Sequence, residues 1–149
     1  MTMIVAPTAN YNSFCSIADA DNFHADRGNT SWDDLSDENK EIALIRATDY
    51  INYNYIFTSD PIFETSVDTM LVRSAAMLAF YSITIDLFPI EAGVITTSDE
   101  KTLAGVGTLK NTYSTRKADR FPTITNMLAN IAQWAPPSTN HVQVGYVQK

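Results

Sequence analysis

The chain has 149 residues, enough for one domain that buries about 68–70% of its unfolded surface without staples. Ten Lys+Arg against seventeen Asp+Glu leave a net charge of −7, which argues against a protein built to grip phosphate backbones, because that affinity is largely counterion release by Lys and Arg. A 45% hydrophobic composition sets the chain apart from disordered ones, and the single cysteine, Cys15, excludes an internal disulfide or a multi-cysteine metal site and suits a reducing compartment.

Residues 1–15 are polar, dotted with aromatics and aperiodic, so they read as an extended arm, with no basic start that would suggest an export signal. Ser16-Ile17-Ala18-Asp19 carries an N-cap hydroxyl with an acid three residues on, and Gly28 can supply a left-handed stop, which predicts a first helix over about 17–27. Gly28-Asn29-Thr30-Ser31 reads as a turn. Ser36 then caps a second helix, about 37–54, with acids in its first turn and an apolar stripe through Leu44, Thr48, Ile51 and Tyr55. It closes in an aromatic cluster, Tyr50, Tyr53, Tyr55 and Phe57, before the Asp60-Pro61 break. A third helix, from about Ser66 to before Pro89, is apolar on nearly every side and should form the core. Its most apolar stretch, Ser74–Ile85, is too short for a membrane span of about 20 residues.

Glycine-punctuated β-favouring runs follow, and they predict a hairpin over about 93–113 with its turn at Ser98-Asp99-Glu100-Lys101. Arg116-Lys117-Ala118-Asp119-Arg120 is the one basic cluster. Phe121-Pro122-Thr123 opens a last helix, about 123–134, stopped by Pro136-Pro137. Residues 136–149 form an extended tail in which Val142, Val144 and Tyr146 alternate as in a strand. The expected fold is mainly α: one small helical bundle over 16–135 with a protruding β-hairpin and extended N- and C-terminal arms.

Chemistry is sparse. Asp21 and His24 share a helix face at i, i+3 and could ligate a metal, but a solvated acidic face is the plainer reading. Cys15 has no neighbour to activate its thiol. Gly105-Val106-Gly107 is too short for a dinucleotide fingerprint. No catalytic residue, metal or cofactor is expected. Arg116, Lys117 and Arg120 beside Tyr113 and Phe121 could form a small single-strand platform, although a surface that pairs with acids on a neighbour is the better fit to the overall charge. The lone tail strand would resolve its unpaired backbone by adding to a sheet edge on another chain. The residues expected at contacts with other chains are therefore Val142, Val144 and Tyr146 in the tail, Val106 and Leu109 in the hairpin, and Arg116 and Arg120.

The run from Ser16 to Trp32, with Ser16-x-Ala18-Asp19-Ala20-x-x-Phe23, Arg27-Gly28 and Trp32, and then Leu44-Ile45-Arg46-Ala47-Thr48-Asp49-Tyr50-Ile51, resembles the head–tail connector proteins of tailed bacteriophages, also called adaptors or head-completion proteins. The later Ala-rich helix, glycine-bearing hairpin and Arg120-Phe121-Pro122 extend the resemblance over about 16–134. Phe80 and Tyr81 are larger than the residues members often carry, and 136–149 has no counterpart. The resemblance implies a structural virion protein of the phage neck, assembled in the host cytoplasm. It would form a homo-oligomeric ring, twelvefold, between the portal protein and the tail or neck proteins. Double-stranded DNA would pass through its lumen without specific binding, and no membrane would be involved. Related sequences are also labelled DnaT-like single-stranded-DNA-binding proteins, which makes a DNA-binding accessory protein the alternative expectation.

Overall fold

Hydroxyl and carboxylate caps start three of the five helices in the computed structural model, which describes residues 2–89 and 119–135 with their side chains, and the backbone of 96–103 and 107–114. Ser16 Oγ accepts from the Asp19 N–H and starts α1 (Ile17–Ala25). A short α2 (Thr30–Asp33) stands where the sequence reads as a turn. Ser36 caps α3 (Asp37–Asn54), which runs directly into β1 (Tyr55–Phe57). The Asp68 carboxylate accepts from the Met70 and Leu71 N–H groups and starts α4 (Thr69–Tyr81). β2 (Thr96–Leu103) and β3 (Gly107–Ser114) pair antiparallel, and α5 (Pro122–Leu128) and β4 (Ala132–Trp134) follow. The protein is mainly α, with five helices and one antiparallel hairpin among the described residues.

Contacts divide the chain into two units, 1–89 with 119–136 and 90–118 with 137–149. In the first, α4 is the hub and packs against α1, α3 and α5. Its Leu71, Ala75, Ala76, Leu78 and Ala79 are fully buried, each leucine contributing about 1.5–3 kcal/mol. The expected stripe of α3 is the buried one: Leu44, Thr48, Ile51 and Tyr55 all lie in the core.

Three further expectations change in this unit. The 1–15 segment is held against the core, since Ser13, Phe14 and Cys15 are buried, Asn12 Oδ1 accepts from the Ile4 N–H, and the Phe14 N–H donates to Thr48 Oγ1 at 3.0 Å. The third helix stops at Tyr81 rather than near Leu87: the Ser82 and Thr84 hydroxyls take the Ala79 and Tyr81 carbonyls, and the Asp86 carboxylate turns back to the Phe88 N–H. The last helix is half its expected length, because Ala132–Trp134 leaves it to pair antiparallel with β1, Tyr55 opposite Trp134 and Phe57 opposite Ala132. Three-residue strands carry no periodicity that a sequence reading can detect.

In the second unit, Ser98–Lys101 lies inside β2 rather than in the turn. Glu100 stands opposite Lys110, and Leu103 stands opposite Gly107. The tail 136–149 lies outside the described residues.

Candidate functional site

The segment that carried the resemblance folds into an interlock between α1, α2 and α3. Asp21 Oδ1 on α1 accepts from Trp32 Nε1 at 2.7 Å and from Lys40 Nζ at 2.9 Å. Trp32 is fully buried and Lys40 nearly so, its ammonium lying 5.8 Å from the Trp32 ring centroid. Burial raises the Asp21 pKa, but the Lys40 and Trp32 hydrogen bonds outweigh it and hold the carboxyl below its ordinary value. Gly28 takes φ +67°, the left-handed conformation expected of it, and nothing crowds its Cβ position, so backbone geometry rather than space favours glycine there. The turn it makes returns Asn29 to His24, where the Asn29 N–H donates to the His24 carbonyl.

His24 is buried between the Phe23, Trp32 and Phe80 rings. Its Nε2 donates to the Ala76 carbonyl at 3.1 Å, and Nδ1 accepts from the Asn29 amide at 3.0 Å. Burial lowers its pKa most; the Ala76 carbonyl, Asp21 and Asp33 oppose the shift and Arg27 adds to it. The Asp21–His24 pair is thus committed to internal partners, and among the described residues no group of three or more His, Cys, Asp or Glu could hold a metal ion. Burial, aided by Asp19 and Asp21, pushes the Cys15 thiol up to about 12, so it stays protonated and unreactive.

The basic cluster is divided. Arg120 Nη1 donates to the Asp86 and Leu87 carbonyls, and Phe121 is buried, stacked on Tyr81 at 5.6 Å and edge-on to Tyr50 at 5.3 Å. Neither completes an open platform for bases. Leu109 lies on β3 opposite Lys101; Val106, Arg116, Lys117, Val142, Val144 and Tyr146 lie outside the described residues. An open recess of about 450 Å³ is lined by Tyr11, Phe14, Phe57 and residues 58–62, with Asp60 as its one charged residue. No described helix is long and apolar enough to cross a membrane.

Charge is unevenly divided between the two units. The helical unit holds fourteen of the seventeen acids and five of the ten Lys+Arg, a net −9; residues 90–118 with 137–149 hold three acids and five Lys+Arg, a net +2. No motif reveals this split, but a count by unit would have found it in the sequence.

Residues 1–66 match a family model described as "Putative DnaT-like ssDNA binding protein". The match covers less than half of the chain, and it is the label behind the alternative expectation rather than the connector family. No curated protein matches the chain, and no solved structure does. The matched stretch contains eleven acids and three Lys+Arg, a net −8, and it includes Asp21, Trp32 and Lys40 of the interlock.

Proposed function

We propose that the protein is a non-catalytic, single-stranded-DNA-binding accessory protein in which the acidic helical unit is the scaffold and the strand is contacted by Lys101, Lys110, Arg116 and Lys117 of the 90–118 segment. The family similarity over 1–66 carries the DNA class. The charge division carries the location: a −9 surface repels phosphates, whereas the remainder is net positive. Four cations imply weak binding with a shallow salt dependence, a log–log slope no steeper than about −3 for single strands. Fluorescence anisotropy of a labelled oligo-dT with the full chain tests this between about 50 and 200 mM salt. Micromolar binding at the low end, lost when the four cations become alanine and kept in Arg73→Ala on the exposed side of α4, is the expected result. No binding at low salt, or binding that survives the fourfold variant, refutes it.

The same acidity favours a second reading, a connector subunit of a phage neck. A ring whose wall carries many acids and few free cations lets DNA slide rather than stick. On this reading the terminal segment 140–149 adds as a strand to a neighbouring subunit or a portal strand. Mass measurements and particle images of the protein, alone and mixed with a portal, separate the two: a ring of about twelve copies that binds the portal and ignores oligo-dT would establish the connector.

A further inference from the structure

Helix α3 has two differentiated faces. One is buried; the other carries Ile42, Arg46, Asp49 and Tyr53, all reaching solvent, with Ile42 41% and Tyr53 57% exposed. Their spacing of four, three and four residues is that of a coiled-coil seam. The order apolar, cation, anion, aromatic is also self-complementary. When a second α3 lies antiparallel about a two-fold axis midway between residues 47 and 48, Ile42 falls opposite Tyr53 of the other copy and Arg46 opposite its Asp49. Exposed apolar residues widen this seam. Phe88 lies 6.3 Å from Tyr53 and 5.9 Å from Tyr50, ring to ring, and Ile85 stands beside Asp86, whose carboxylate is 2.9 Å from Arg46 Nη2.

We propose that this face of α3 is a two-fold interface with a second copy of the chain. The occupant follows from charge: the strip carries one cation and one anion at mirror positions, so it complements itself, whereas a uniformly charged partner would oppose one of them. In the pair, Arg46 keeps Asp86 of its own chain and gains Asp49 of the other. The seam is roughly 16 Å long at 1.5 Å per residue, well short of the area of a standard interface, so the dimer is weak, with a Kd in the micromolar range. This contact is independent of the DNA reading, since it uses none of the four cations proposed for the strand.

Sedimentation equilibrium of the full chain over roughly 1–200 μM tests it, with circular dichroism confirming that each variant is folded. Wild type should dimerise. Tyr53→Lys, Arg46→Glu and Asp49→Lys should each weaken the dimer at least tenfold, and Ile56→Lys, at an exposed site on β1, should leave it unchanged. The decisive arm mixes Arg46→Glu with Asp49→Lys: each associates more weakly than wild type alone, and together they should form a heterodimer, because one mirror contact keeps its native signs and the other is restored with signs exchanged. A wild type that stays monomeric throughout, an association indifferent to Tyr53→Lys, or a mixture that remains monomeric overturns the proposal.

Discussion

Asp21→Ala should be far more damaging than loss of the lysine it holds. Removing the carboxylate leaves the Lys40 ammonium, 8% exposed, without its counter-ion, and leaves the Trp32 indole N–H without its acceptor. Stranding one member of a buried pair costs about 3–5 kcal/mol, but the Asp21 side chain is 41% exposed, so water enters its place and the charge contribution falls to about half. Adding about 1–2 kcal/mol for the orphaned indole N–H gives a loss of about 3 kcal/mol, a large share of the 5–15 kcal/mol typical of a domain. Lys40→Met, by contrast, replaces the ammonium with an apolar chain of similar length over the Trp32 face and leaves Asp21 bonded to the indole and to water, so it should cost about 1 kcal/mol or less. The double variant should recover more than 1 kcal/mol of the Asp21→Ala loss. Urea denaturation followed by far-ultraviolet circular dichroism, with unchanged slopes, supplies all three values. Equal costs for the two single variants, or no recovery in the double, would refute the claim that Asp21 is there to satisfy Lys40 and Trp32.

His24 is held neutral in the fold, so the native state binds fewer protons than the unfolded chain below the ordinary histidine pKa. Its contribution is complete above about pH 6.5 and is lost as pH falls from there toward the depressed folded pKa. In His24→Gln the stability lost between pH 7 and pH 5 should be smaller than in wild type, and an unchanged pH profile would show that His24 does not titrate with unfolding. Cys15 is fully buried and its pKa is raised to about 12, so a thiol reagent at pH 8 should label it only as the protein unfolds; rapid labelling of the native protein would contradict its placement in the core.

What was legible in the sequence is what local rules control. Ser16 and Ser36 each had a residue three positions on whose N–H they could accept, and both caps formed. The stripe on α3 repeated often enough for its period to select the buried face. What was not legible depended on partners distant in the chain. Nothing near Phe14 shows that its N–H will find Thr48, thirty-four residues away, and so turn an apparent arm into core. Composition favoured continuing α4 through the apolar run Ile83-Thr84-Ile85, yet the competing hydroxyls of Ser82 and Thr84 ended it. The candidate site misled for a related reason: in sequence Arg120 and Phe121 look like an open basic-aromatic pair, and only tertiary packing shows the arginine bonded to carbonyls and the ring buried.

The two bonds from Arg120 to the Asp86 and Leu87 carbonyls have a consequence for how the chain tolerates change. They clasp the segment leaving the helical unit to the segment re-entering it, and the β1–β4 ribbon secures the returning end again beyond α5. Residues 90–118 are thus spliced into a scaffold whose two exit points are already held together, so the scaffold does not depend on the splice to bring them near. Because closure entropy grows only slowly with loop length, the excursion can be shortened, lengthened or exchanged at little thermodynamic cost to the helices. Whatever the protein touches through that excursion can then change over evolutionary time at a rate of its own, while the interlock of Asp21, Trp32 and Lys40 stays fixed beneath it.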